Sequence, residues 1–246
     1  MFLFTLQYAD MQFRLYPDPR TQQLAEMNCR LREHFGEQGP YAAPDPLNQF
    51  VLAFLGGRTR SQISRAAFRN LQSKFNDWEA VRDAPYTHIL KTIKRVTFAD
   101  IKADRLKSSL NTITSRNGAL TLNNLEALPQ DEALFWLESL PGVGRKIAAA
   151  TLNFSTLRKR TLVIDTHHLR VLCRLGLVQQ GADFRTAYDT LAPALPESWT
   201  AEDLDQHHQL MKRNGQKYCR HHAALCASCP LEELCHTATC LGPKPH

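Results

Sequence analysis

Leu140-Pro141-Gly142-Val143-Gly144-Arg145-Lys146 joins two stretches whose apolar residues recur at helical spacing. Pro141 ends the first helix, because it has no N–H to donate and its ring clashes with the preceding turn. Two glycines one residue apart permit a tight turn with positive φ, or a close approach of another backbone. A second helix starts at once, near Arg145, so backbone N–H groups at its start face outward and attract phosphate oxygens. Gly142, Val143, Gly144 and Arg145 therefore read as a grip on one nucleic-acid phosphate that takes no account of base identity. Val143 is expected to pack back between the two helices. Gly-x-Gly alone would fit any glycine-capped helical hairpin; the seven-residue string is far more specific.

Lys146 falls in the first turn of the second helix. The helix dipole disfavours a cation there by about 0.3–1 kcal/mol. The same field, together with desolvation, favours the neutral amine. A neutral lysine attacks an aldehyde-like carbon and forms a Schiff base. A lysine that only binds phosphate would fit the local sequence too, with no such shift.

Working outward, helical periodicity covers most of the chain and almost no segment reads as strand, so the fold class is all-α. Helices are predicted after Asp45-Pro46 up to Gly56-Gly57, from Ser61 as N-cap through Leu71, and at about 77–83 and 86–94. Others run from Ile101 to Asn117-Gly118, near Asn123 to Leu128, at about 131–139, from Arg145, from Asp165, and at about 183–192 and 202–213. Residues 42–158 read as one helical domain, with the hairpin at about 131–155. Residues 1–41 and 159–246 read as a second, discontinuous helical domain, entered through the basic linker Arg158-Lys159-Arg160. Asp165 ends the apolar run Val163-Ile164 and fits a helix N-cap, where N–H donors would keep its carboxylate ionised. A carboxylate so held can stabilise positive charge building on a sugar carbon as its base departs. Helix capping alone would explain it equally well. His167 and His168 are adjacent and should face different directions, one packed and one exposed.

The chain has 246 residues, 43% of them hydrophobic, a formal charge of +6 and a pI near 9.0. That balance suits a polyanionic partner without demanding one. Met1 to Met11 have neither the basic start nor the cleavage site of a signal peptide. No apolar run is long enough to span a bilayer, so an intracellular protein with no membrane partner is expected. Five of the seven cysteines, Cys219, Cys226, Cys229, Cys235 and Cys240, crowd the C-terminal end. The first four give C-x6-C-x2-C-x5-C, which suits a metal better than disulfides in such a chain. Four thiolates serve zinc or a [4Fe–4S] cluster, and spacing does not choose between them. The tail from Cys219 is too polar to build its own core, so something else must order it. Cys29, Cys173 and Cys240 are left as spares.

These motifs, in this order, resemble the endonuclease III family of helix-hairpin-helix DNA glycosylases with an iron–sulfur cluster. The resemblance covers residues 46–236. Leu140 to Lys146 match the family hairpin, and Lys146 falls on the Schiff-base lysine. Val163 to His167 match the segment of the catalytic aspartate, which lands on Asp165. The four cysteines match the cluster spacing, and His207-His208 with Gly215 resemble the lead-in to it, with one extra residue. The resemblance implies a six-helix barrel lobe with the hairpin, and a helical lobe carrying one [4Fe–4S] cluster at Cys219, Cys226, Cys229 and Cys235. It implies action on double-stranded DNA that contains damaged bases or abasic sites; because flipping one nucleotide requires no second subunit, a monomer is expected, in cytoplasm or nucleoid if bacterial.

The target nucleotide would be flipped out. Lys146 would then expel a damaged base, an oxidised pyrimidine by the family's habit, and the imine would cut the strand by β-elimination. Lys146 and the end at His246 argue against the adenine-specific mismatch branch of the family. Two positions depart from the pattern. Arg58 stands where the family carries a glutamine that enters the gap left by the flipped base. Phe98 stands where an apolar wedge, usually leucine, inserts between bases; a core aromatic at a helix end would look the same. The alternatives are a glycosylase with another base or mismatch preference, and a catalytically weak iron–sulfur protein that binds DNA damage.

Overall fold

Acidic caps and prolines set where the helices begin. The computed structural model describes residues 18–240; Met1 to Met11, read above for a signal peptide, lie outside them, as does the side chain of Cys240. Asp45 Oδ1 accepts from Leu47 N at 2.9 Å, and Pro46 occupies the first helical position, where its missing N–H costs nothing. Asp77, Asp165 and Asp183 cap later helices in the same way. Each such bond contributes about 1 kcal/mol. The helices are α1 (Pro19–Phe35), α2 (Pro46–Gly56), α3 (Ser61–Lys74), α4 (Trp78–Asp83), α5 (Tyr86–Ile93) and α6 (Ala99–Asn117). They continue with α7 (Gln130–Glu138), α8 (Arg145–Asn153), α9 (Thr166–Leu175), α10 (Phe184–Leu191), α11 (Ala201–Lys217) and α12 (His236–Cys240). No strand occurs among the described residues, as an all-α fold requires.

Three expectations are corrected. Ser61 is not the cap of α3: Arg60 holds that position, because its carbonyl already accepts from Ile63 N and Ser64 N at 2.9 and 3.1 Å. The helix expected near Asn123 to Leu128 shrinks to a 3₁₀ turn, Asn123–Glu126, since Pro129 disfavours helical backbone before it. The helix expected at 202–213 runs on to Lys217.

The chain divides into two compact units. One comprises Pro40–Val163 and Thr200–Asp205. Its centre is α2, which buries Phe50, Val51, Phe54 and Leu55 and packs against α8 and α3. Ala148, Ala149 and Ala150 of α8 are all buried, and α7 packs against α8 to complete the hairpin. The basic linker is consumed inside this unit: Arg158 reaches Asp205 Oδ2 at 3.2 Å, and Lys159 Nζ donates to the Glu126 and Leu128 carbonyls.

The other unit takes residues 18–39, 164–199 and 206–240 of those described. Leu24, Met27 and Leu31 of α1, Val171, Leu172 and Leu175 of α9, and Leu210 and Met211 of α11 are buried in it. No helix among the described residues is long and apolar enough to cross a membrane.

Candidate active site

The hairpin turn is built around Gly142. Its φ is +78°, and a Cβ there would stand 2.7 Å from Arg105 Cδ and 3.3 Å from Phe54 Cζ. Both the backbone and its neighbours therefore require glycine. Ser109, fully buried on α6, donates to the Pro141 carbonyl at 2.9 Å and fixes the turn against the core. Val143 is buried, as its packing role demands. Gly144 differs: its backbone is extended, it is exposed, and an added Cβ would meet nothing within 4 Å. Glycine there leaves the start of α8 open on its outer side. Arg145 turns its guanidinium onto Glu138, Nε to Oε1 at 2.7 Å with both side chains nearly buried, and so braces α8 against α7.

Lys146 is half-buried over α2, where a Cβ on Gly56 would lie 3.8 Å from its Nζ. Lys102 of α6 approaches the same stretch of backbone. Its Nζ donates to Leu55 O at 2.9 Å, Gly57 O at 2.5 Å and Thr59 Oγ1 at 3.1 Å. Burial and then the charge of Lys146 bring the Lys102 amine down to about 8.

The Arg58 and Phe98 loops come together. Thr97 N donates to Thr59 Oγ1 at 3.2 Å, and Thr59 also accepts from Lys102. Arg58 and Phe98 both adopt left-handed backbone, with φ of 52° and 58°. A bulky residue in that region is strained by about 1–3 kcal/mol. Phe98 is 49% exposed, which removes the reading of it as a core aromatic.

Asp165 caps α9 as its position suggested. Its Oδ1 accepts from His167 N and His168 N, both at 2.9 Å. Burial pushes the carboxyl up, but His208, the His168 N–H, Lys212 and the His168 ring together outweigh it and hold the group down at about 2. His208 and Lys212 stand one turn apart on α11, hence on one face. Gly215, a further turn along, shows where that face lies: a Cβ there would be 2.9 Å from His167 Cβ and 3.0 Å from its carbonyl oxygen. His168 is buried and stacks edge-on to His207, with ring centroids 5.2 Å apart. His207 Nδ1 meets Asn28 Oδ1 at 3.2 Å, and burial keeps it far below the ordinary histidine range. His167 is half-buried, so neither of the paired histidines is fully exposed.

The expected cluster is corrected. Among the described residues, no group of three or more His, Cys, Asp or Glu side chains is disposed to hold a metal ion. Cys219, Cys226, Cys229 and Cys235 form no disulfide, and three of them take protein partners instead. Arg174 Nη1 donates to Cys219 Sγ at 3.2 Å, Cys229 Sγ to Asn214 Oδ1 at 3.6 Å, and Cys235 Sγ to Arg174 O at 3.4 Å. Burial pushes the Cys229 and Cys235 thiols up, which favours S–H over thiolate. Two arginines of α9 do the ordering that the polar tail requires. Arg170 donates to the Cys219 and Gly215 carbonyls, and Arg174 to the Arg220 and His221 carbonyls.

Lys102, His208 with Lys212, and Arg174 were not singled out as site residues from sequence. The i, i+4, i+7 spacing of His208, Lys212 and Gly215 was a signal that could have found one face of α11. Lys102 had none, since its acceptors lie 45 to 47 positions away, or 43 for Thr59.

No protein-family model matches the chain. Among curated proteins, it is 34% identical over 216 residues to endonuclease III of Escherichia coli strain K12, covering 85% of this chain and 93% of that one. It is 26% identical over 215 residues to endonuclease III of Haemophilus influenzae, covering 85% and 93%. Among solved structures, it matches an endonuclease III trapped as a covalent intermediate with DNA, at a TM-score of 0.74 and 20% identity. That match covers 91% of this chain and 99% of that one, and it extends the all-α likeness to almost the whole fold.

Proposed function

The chain belongs to the endonuclease III family, and from that membership we propose that it is a bifunctional DNA glycosylase and AP lyase of base-excision repair. Its substrate is double-stranded DNA, and its preferred lesion an oxidised pyrimidine. Lys146 is the nucleophile. Its neutral amine attacks C1′ of the flipped nucleotide, and the C1′–N bond breaks with its electron pair leaving on the base. The amine loses its proton and the sugar ring opens, giving the imine. Loss of a C2′ proton then expels the 3′ phosphate by β-elimination.

Asp165 stabilises the positive charge on the sugar during the first step, and its low pKa keeps it ionised throughout the physiological range. The open side of Gly144 and the N-terminus of α8 hold a backbone phosphate, and Arg58 and Phe98 fill the gap left by the flipped base. The observation that carries this reading is Lys146 itself, in the first turn of α8 behind a Gly142–Gly144 hairpin, in a chain 34% identical to an endonuclease III.

Borohydride reduces an imine to a stable amine, so the protein should become covalently linked to duplex DNA that carries an abasic site. Lys146→Ala should reduce the linked product to the level of a control without enzyme, while DNA binding measured by anisotropy stays within a few-fold of the parent. An unchanged yield of linked product in the mutant overturns the assignment of Lys146.

A further inference from the structure

Lys102 belongs to none of the motifs above, yet three hydrogen bonds define its environment. An ammonium has three donors. Lys102 spends them on Leu55 O, Gly57 O and Thr59 Oγ1, so its charge is fixed in place. Two of those oxygens lie at the C-terminal end of α2, where the helix dipole favours a cation. Consecutive glycines let a second amine share this backbone. A Cβ on Gly57 would be 3.9 Å from Lys102 Nζ, and one on Gly56 would be 3.8 Å from Lys146 Nζ.

We propose that Lys102 is a positioning residue for the reaction: it fastens the turn at 56–60 and holds a positive charge, at neutral pH, beside the nucleophile Lys146. The inference rests on the reading of Lys146 as nucleophile. The charge that acts on Lys102 is that of Lys146 on α8; the three acceptors it meets on α2 and on the 56–60 turn, which also carries Arg58 and Arg60, are neutral oxygens. Repulsion between two ammonium groups is mutual, so a charged Lys102 disfavours a charged Lys146 and favours the amine that attacks. Lys102 itself forms no bond to the substrate and moves no proton. Through Thr59 it also ties the Arg58 turn to Thr97, next to Phe98, so one side chain sets both the nucleophile's field and the loops beside it.

The test is the pH dependence of single-turnover imine trapping on duplex DNA with an abasic site, using the full chain, Lys102→Met and Lys102→Arg. Losing the neighbouring charge lets Lys146 hold its proton to higher pH. Lys102→Met should therefore move the midpoint of the profile upward by roughly 0.5–1 pH unit and slow trapping about 3- to 10-fold at pH 7. Arginine stays charged at all these pH values, so Lys102→Arg should keep the parent midpoint or lie below it. A residue that only braced the loop would lower the amplitude and leave the midpoint alone. An unmoved midpoint in Lys102→Met overturns the proposal, and so does an upward shift in Lys102→Arg. If Lys102→Met does not fold, by circular dichroism and thermal melting, the direction of the Lys102→Arg midpoint decides the matter. A parent that traps no DNA, or that traps it equally as Lys146→Ala, overturns the proposed function instead.

Discussion

Lys146 and Asp165 are surrounded in opposite ways. Lys146 lies over glycine, at the positive end of a helix, with a second lysine fixed close by. Asp165 accepts two N–H bonds at a helix start and feels His208, Lys212 and His168. The second environment holds its group ionised; at the first, the neighbouring amine of Lys102 is the one brought down, to about 8. On the proposed reading of Lys146 as nucleophile, such a difference would let one group react as an amine while the other stays an anion at the same pH. The comparison also separates two methods. Near Lys146 the device is missing side chains, at Gly56, Gly57, Gly142 and Gly144. Near Asp165 it is present ones.

The sharpest way to break that contrast is to neutralise the anion without disturbing the cap. Asparagine caps helices as well as aspartate does, so Asp165→Asn should fold normally. Base release in single turnover should fall about 100- to 1,000-fold, the usual effect of removing one group that stabilises transition-state charge. Rates within a few-fold of the parent would leave Asp165 a structural cap.

The two hairpin glycines test the method of missing side chains. Gly142→Ala meets both a positive φ and a contact at 2.7 Å, and should destabilise the protein by about 2–3 kcal/mol in urea unfolding. Gly144→Ala adds a methyl to open space on an ordinary backbone and should leave stability within about 0.5 kcal/mol. Its effect should be on affinity for DNA, weakened equally for every lesion, because a phosphate contact carries no base information. Equal stability losses at the two positions would show that Gly144 has a packing role.

Acid unfolding gives a smaller effect with a definite sign. Folding lowers the Asp165 pKa from 3.8 to about 2. Its stabilisation is therefore fully present above the unfolded value and is lost as pH falls through the folded one, a contribution of roughly 2 kcal/mol. Between pH 4 and 2 the parent should lose that much more stability than Asp165→Asn, which has no such proton to bind. Parallel stability curves for the two proteins would mean that the field of His208 and Lys212 is screened by water.

The same contrast explains what was legible in the sequence. Features carried by backbone chemistry over a few residues were read correctly: the Pro141 stop, the restart at Arg145, and the Asp165 cap. Ser61 failed because a cap depends on where the chain enters the helix as well as on residue type, and Arg60 takes that place. The cysteine spacing suggested a ligand set. The folded tail spends those sulfurs on Arg174 and Asn214 and draws its order from arginines of α9, at a sequence distance that no local pattern reveals. Lys102 was invisible for the same reason. A lysine in a helical stretch reads as a solvated face until the carbonyls it serves are known.

The smallest effect concerns Phe98, where backbone and ring have to be told apart. The ring is half exposed and the backbone is left-handed, so strain and stacking both bear on this one residue. Glycine accepts that backbone freely, whereas alanine carries part of the strain. Phe98→Gly should therefore be about 1 kcal/mol more stable than Phe98→Ala. Both lack the ring, and both should slow base removal from intact duplex several-fold, since stacking contributes about 1–3 kcal/mol and only part of it is specific to the flipped state. On single-stranded or pre-flipped substrates both should match the parent, because no gap needs filling there. Arg58 shares the left-handed backbone and is treated the same way. Arg58→Ala should slow the reaction most opposite guanine if its donors meet that base's O6 and N7 edge. A uniform loss with weaker salt dependence would make it a phosphate contact. If Phe98→Gly restores the parent rate on intact duplex while Phe98→Ala does not, the turn geometry matters and the ring does not, and the wedge role fails.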